Sequence, residues 1–169
     1  LTRSPFPAWG NLRASGRRVK ALGINEGESW WRVGITFTVL VSVVTVGFLV
    51  LSYGGQLSHV EWSAWGLALL VAIPLSMTNA LSEELITRWA IVASMPDTWA
   101  RFAPWMSAVV FGGVHWFGIP GGPVGTLMAA FLAWLLTRSI QDTGGIGWTW
   151  IVHFCQDVFI FTVTIALFI

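Results

Sequence analysis

The sequence predicts an all-α, polytopic transmembrane bundle with about five membrane segments. Hydrophobic residues make up 55% of the 169 residues and charged residues 10%, whereas soluble domains carry roughly 25% charged residues. The mean hydropathy is +0.71, and the 12 tryptophans suit a chain whose helices end at the membrane–water boundary. A formal net charge of +1 gives no indication of a nucleic-acid partner, so membrane lipid is the predicted environment.

The N-terminal region, residues 1–31, is predicted to be a basic domain before the transmembrane domain, residues 32–169. The region and its border hold six of the nine positive charges, Arg3, Arg13, Arg17, Arg18, Lys20 and Arg32. Because cytoplasmic flanks of membrane helices are rich in Lys and Arg, we expect a cytoplasmic N-terminus. Because the first residue is Leu1, we expect the N-terminus to be trimmed or incomplete, so a preceding helix or signal could be missing.

The first two hydrophobic segments are predicted at about 33–53 and 62–95. The first carries no charge and matches the roughly 20 residues of one membrane crossing. The second is too long for one upright crossing, and Pro74 predicts a kink within it. Its last third carries three charged residues.

Three further segments are predicted at about 104–117, 124–140 and 146–169. Breakers separate them, because Pro and Gly residues fill 120–123 and two glycines follow Thr143. His153 lies seven residues after Ile146, about 10 Å along a helix. With a cytoplasmic N-terminus, the polar groups of three segments meet in the cytoplasmic half of the bilayer.

Six ionisable side chains interrupt segments that otherwise predict burial in lipid. They are Glu83, Glu84, Arg88, His115, His153 and Asp157. A charge at that depth costs a few kcal/mol or more, so it indicates function or a specific partner. Taken one at a time, a helix-end ion pair, a core histidine or a packing hydrogen bond would explain each cluster. Because the three clusters lie on three separate hydrophobic segments, the clusters together predict an active site between helices.

The first cluster combines two adjacent acids with an arginine. Glu84 and Arg88 are four residues apart and share a helix face, with the acid on the favoured N-terminal side. Glu83 points about 100° away from Glu84. We therefore expect Arg88 to hold one carboxylate while the other faces a cavity, where a poorly solvated carboxylate suits a general base.

The second and third clusters are also built on four-residue spacings. Phe111 and His115 share one face, and two glycines between them, Gly112 and Gly113, would allow close approach of another helix or of a substrate backbone. His153 and Asp157 share another face. Such a pair could hold a metal, or the carboxylate could orient the imidazole.

These residues suit two chemistries, which the spacing leaves open. In one, Glu83, His115, His153 and Asp157 bind a divalent metal, zinc as the first candidate, that activates water. In the other, a metal-free glutamate base activates water beside a histidine. The spacing differs from the His-Glu-x-x-His zinc helix.

The ordered clusters resemble the CPBP family of intramembrane proteases, which comprises CAAX prenyl endopeptidases and bacteriocin-processing or Abi proteins. The family pattern is Glu-Glu-x-x-x-Arg, then Phe-x-x-x-His, then His-x-x-x-Asn or Asp. It matches here at Glu83, Glu84, Arg88, Phe111, His115, His153 and Asp157. The CAAX-protease-like core is expected at about 62–169.

The resemblance implies an intramembrane endopeptidase of a bacterial inner membrane that hydrolyses a membrane-associated peptide or protein. It implies that Glu83 activates water with help from His115. Glu84 and Arg88 would position Glu83 or the substrate. His153 and Asp157 would stabilise the oxyanion or complete a metal site. The prenyl-endopeptidase branch has Asn at the last position, so Asp157 favours the Abi-like branch.

Two alternatives use the same residues differently. The short length and the N-terminal region rich in Arg and Trp are compatible with a non-catalytic, CPBP-like structural subunit of a larger membrane complex. An ion or proton carrier would use the buried charges as a relay, but no charged path continues across the bilayer. Cys155, the single cysteine, is expected to be a small core residue.

Overall fold

The computed structural model describes residues 7–169 and confirms the all-α class. Arg3 lies outside the described residues. Within them no β-strand forms, and two isolated bridges are confined to the N-terminal region. The α-helices are α1 Trp30–Leu57, α2 Trp62–Glu84, α3 Ala90–Ser94, α4 Ala103–Val114, α5 Gly122–Thr143 and α6 Gly147–Phe168.

These helices form the five predicted segments, since a π-helical turn at Leu85–Trp89 joins α2 to α3. Four segments are long and apolar enough to cross a membrane, Trp30–Leu57, Trp62–Ser94, Gly122–Thr143 and Gly147–Phe168. The remaining helix, α4, has 12 residues and is shorter than the roughly 20 needed for a crossing. Short 3₁₀ helices, Asp97–Phe102 and His115–Phe117, extend it at both ends.

The second segment contains an irregular turn that the sequence does not predict. Helix α2 runs through Pro74, where the kink stays a prediction, and the π-helical turn begins directly after Glu84. No proline or glycine lies in that turn. Single π-helical turns inside α-helices are frequent at functional sites.

Helix α4 packs closely on α5 through one of the two predicted glycines. A Cβ at Gly112 would lie 2.7 Å from the Cβ of Ala130, so only a glycine permits this approach. A Cβ at Gly113 would meet nothing within 4 Å. Close approach of a helix is therefore confirmed at Gly112 and is not found at Gly113, where approach of a substrate backbone stays a prediction.

The N-terminal region packs on one end of the bundle. The backbone N–H of Ile146 donates to the carbonyl of Ala8 at 2.9 Å. Arg17 pairs through Nε with Asp142 Oδ1 at 2.6 Å, and Asp142 Oδ2 accepts from Trp30 Nε1 at 3.1 Å. The bonds anchor this region to the turn between α5 and α6. The boundary between the two predicted domains stays a prediction.

The same end of the bundle also holds the turn before α4. Gln141 at the end of α5 donates through Nε2 to the carbonyl of Ala100 at 2.6 Å. The basic N-terminal residues therefore share one end with Arg101 and Arg138. This grouping places most basic side chains of residues 7–169 at one end of the bundle, and the cytoplasmic orientation of that end stays a prediction.

Candidate active site

Three parts of the fold bring the predicted site residues together. The end of α2 and its π-helical turn carry Glu83, Glu84 and Arg88, and α6 carries His153 and Asp157. Phe111 and His115 come from α4 and the short 3₁₀ helix after it. The π-helical turn continues directly from α2, and α6 packs against α2.

Glu84 lies at the centre of a fully buried network. Its Oε1 accepts from Arg88 Nη1, and both side chains have 0% exposure. The same oxygen lies 2.8 Å from His153 Nδ1. Because a carboxylate can only accept when ionised, Nδ1 carries the proton in this bond. Glu84 thus fixes both a cation and the orientation of the His153 ring.

Phe111 connects this network to His115. The Arg88 guanidinium carbon lies 3.9 Å from the centre of the Phe111 ring, in cation–π geometry. The ring is also packed edge-on to His153, with centroids 5.6 Å apart, and against His115 at 4.1 Å. One buried aromatic side chain therefore sets the spacing between the arginine and both histidines.

His115 has a defined tautomer in its neutral form. Its Nδ1 lies 2.8 Å from the carbonyl oxygen of Phe111, one turn earlier. A carbonyl accepts but does not donate, so Nδ1 carries the proton and Nε2 keeps a free lone pair. A ring in this state can accept a proton or a hydrogen bond through Nε2.

Arg88 holds Glu84 and not Glu83, as the sequence predicts, but Glu83 is not among the residues that line the apolar cavity next to the site. The side chain of Glu83 is 34% exposed, and its Oε2 lies 3.6 Å from His153 Nε2. That oxygen has no hydrogen-bond partner among residues 7–169. Asp157 Oδ1 approaches the same Nε2 at 3.5 Å. His153 therefore lies between Glu84, which it contacts at 2.8 Å, and two carboxylates at longer distance; Oε2 of Glu84, like Oε2 of Glu83, is buried without a hydrogen bond among residues 7–169.

Asn79 is a polar member of the site that the sequence analysis missed. Its Nδ2 lies 3.0 Å from Asp157 Oδ2 and 3.3 Å from Glu83 Oε1. The available signal was its position four residues before Glu83, on the same helix face. It is uncharged, so it does not stand out among the polar residues of α2.

A cavity of about 270 Å³ lies against this cluster. His115, His153 and Asp157 form part of its wall. Helices α1 and α5 supply apolar side chains such as Leu40 and Met128 to the remainder. The cavity is therefore an apolar space with proton-exchanging groups at one side.

The residues proposed as metal ligands do not converge as a ligand set. Among residues 7–169, no group of three or more His, Cys, Asp and Glu side chains is placed to hold a metal ion. His153 Nδ1 faces Glu84, and the Nδ1 of His115 is bound to a backbone carbonyl. The zinc hypothesis stays a prediction, which metal analysis of the purified protein tests.

Comparison with known families agrees with the motifs. A family model described as type II CAAX prenyl endopeptidase Rce1-like matches residues 63–159, more than half of the chain. The match begins close to the expected start of the core at residue 62. It includes all seven predicted site residues and Asn79. No curated protein and no solved structure matches the chain.

Proposed function

Because the chain belongs to the Rce1-like family of type II CAAX prenyl endopeptidases, we propose that it is an intramembrane endopeptidase. It hydrolyses a peptide bond of a membrane-associated peptide or protein. The observation that carries this proposal is the position of Glu83, whose side chain is 34% exposed and whose Oε2 lies 3.6 Å from His153 Nε2.

Glu83 is proposed as the base. It takes one proton from a water molecule while the water oxygen attacks the carbonyl carbon of the scissile bond. The tetrahedral intermediate then collapses, the C–N bond breaks, and Glu83 returns the proton to the leaving amine nitrogen. The products are a new carboxyl terminus and a free amine, so the step requires nothing beyond substrate and water.

The remaining polar groups would support this step without being consumed. His153, protonated on Nε2, would donate to the oxyanion, while its Nδ1–H continues to donate to Glu84. Arg88 would hold Glu84 ionised in a site that has no access to solvent. His115, with Nε2 as an acceptor, would help to orient the attacking water.

Asp157 is proposed to orient the His153 ring. An ionised carboxylate cannot donate a hydrogen bond to an oxyanion, but its Oδ1 lies 3.5 Å from His153 Nε2. The matched family description names prenyl endopeptidases, whereas Asp157 favours the Abi-like branch. The apolar cavity would accept either a lipid chain or the apolar side chains of a peptide.

We propose a cytoplasmic N-terminus and a bacterial inner-membrane location. The support is the common position of the basic N-terminal residues, Arg101 and Arg138 at one end of the bundle. His153 lies six residues into α6 from that end, about 9 Å along the helix. Substrate would therefore be cut in the cytoplasmic half of the bilayer.

The test uses protein in liposomes, an S-farnesylated peptide ending in Cys-aliphatic-aliphatic-X, and the same peptide without the lipid. The reaction runs in ¹⁸O-labelled water, and mass spectrometry identifies the new carboxyl terminus. Hydrolysis places one ¹⁸O atom in that carboxyl group. Glu83→Gln should lower the rate by about 10²–10⁴-fold, the usual contribution of a general base.

Glu61→Gln is the matched control, because it makes the same change at an exposed glutamate before α2. It should keep the wild-type rate. Cleavage by Glu83→Gln at the wild-type rate would refute the proposal. Failure of the folded wild-type protein to cut either peptide, with partners co-purifying in fixed ratio, would favour the structural-subunit alternative.

A further inference from the structure

The amide group of Asn79 lies between two carboxylates from different helices. Its Nδ2 is within hydrogen-bond distance of Asp157 Oδ2 at 3.0 Å and Glu83 Oε1 at 3.3 Å. Both partners are acceptors, so the NH₂ end of the amide, and not its oxygen, must face them. An NH₂ group carries two protons, which is one for each carboxylate.

We propose that Asn79 is a positioning residue for the hydrolysis, and that its two amide protons hold Glu83 and Asp157 at fixed places around His153. This role rests on the proposed function. With Oε1 of Glu83 held by the amide, Oε2 is left for the water proton. With Oδ2 of Asp157 held, Oδ1 faces His153 Nε2.

The residue type fits this task for an electrostatic reason. Glu83 and Asp157 approach the same His153 nitrogen, at 3.6 and 3.5 Å, and two ionised carboxylates repel each other. A lysine or arginine here would relieve the repulsion but would also form an ion pair with the base. A neutral amide bridges both groups and leaves Glu83 able to accept a proton.

Asn79 is placed to act through the two carboxylates. The wall of the apolar cavity includes Asp157 and His153, but neither Asn79 nor Glu83. Asn79 lines a second space of about 300 Å³ between α2 and α6, together with Thr78 and Ser82. Because its amide contacts Glu83 and Asp157, Asn79 can position these carboxylates without itself contacting the substrate.

The test compares two Asn79 variants with Ser82→Ala in the liposome assay, using whichever peptide the wild type cuts. Asn79→Ala removes both donors, and we expect kcat to fall about 10–100-fold, because misplacement of a catalytic group by about 1 Å has that effect. KM should change less than about threefold, because the residue does not contact substrate. Ser82→Ala removes a bond to the Thr78 carbonyl of its own helix and should keep the wild-type kcat.

Asn79→Asp separates positioning from packing. It conserves the side-chain volume but replaces the two donors with a third carboxylate, so its kcat should fall at least as far as that of Asn79→Ala. It also provides a second variant if Asn79→Ala fails to fold. A packing role would give the opposite order, with the volume-conserving Asp variant nearer to the wild type and with kcat following the melting temperature.

The outcomes for Asn79 and for the proposed function are distinguishable. If Glu83→Gln is inactive while both folded Asn79 variants keep kcat within twofold of the wild type, this inference is overturned and the glutamate mechanism stands. A raised KM with unchanged kcat would also overturn it, because Asn79 would then contribute to substrate binding. Full activity of Glu83→Gln would instead remove the mechanism that Asn79 is meant to support.

Discussion

Arg88→Met should destabilise the protein strongly, because it leaves Glu84 buried without its guanidinium partner. Both side chains have 0% exposure, and breaking a buried ion pair from one side costs about 3–5 kcal/mol. The guanidinium stacks on Phe111 at 3.9 Å, and the loss of a desolvated cation–π contact adds about 1–2 kcal/mol. His153 keeps its bond to Glu84, which offsets part of the loss. We therefore expect a decrease of about 4 kcal/mol in the free energy of unfolding.

The assay is reversible unfolding in mixed detergent micelles with increasing SDS. The double variant Glu84→Gln/Arg88→Met buries no charge at these two positions, so it should be more stable than Arg88→Met by about 2 kcal/mol or more. Arg32→Met is the surface control, since Arg32 is 81% exposed and 3.6 Å from Glu28, and should cost less than about 1 kcal/mol. A cost below about 1 kcal/mol for Arg88→Met, or additive costs in the double variant, would refute the buried-pair argument.

Two further predictions concern packing. Gly112→Leu should lower the yield of folded protein and the melting temperature in detergent, because even a Cβ would lie 2.7 Å from that of Ala130, whereas Gly113→Leu has open space and should fold normally. Equal behaviour of the two variants would contradict the α4–α5 contact. Asp142→Asn should loosen the N-terminal region by weakening the 2.6 Å pair with Arg17, so limited trypsin digestion there should be several times faster at low salt. An unchanged digestion rate would show that this ion pair does not hold the region.

The contacts within single helices could be predicted from the sequence, because helical geometry fixes them. Residues four apart share a face, and this rule correctly placed Arg88 with Glu84 and Asp157 with His153. The contact between Glu84 and His153 joins residues 69 positions apart. Spacing along the chain carries no information about it, so only the shared membrane depth of the clusters and the family resemblance grouped them.

The failures of the sequence analysis have a related physical cause. The irregular turn at Leu85–Trp89 was not predicted, because no proline or glycine marks it in the sequence. Asn79 was missed because its importance comes from Asp157 on α6, which no local pattern reveals. Gly113 was assigned to a close contact because it adjoins Gly112, and only the direction of α4 relative to α5 distinguishes the two.

The surroundings of the three acids differ in ways that bear on the proposed mechanism. Glu84 shares one oxygen between Arg88 and His153 and is fully buried, so that oxygen is committed to structure. Asp157 is bound by Asn79 and faces His153. Glu83 and Glu84 each have a buried Oε2 without a hydrogen bond among residues 7–169, but the side chain of Glu83 is 34% exposed and that of Glu84 is fully buried. A general base must be reachable by water, so Glu83 is the one of these three carboxylates that fits the proposed role of base.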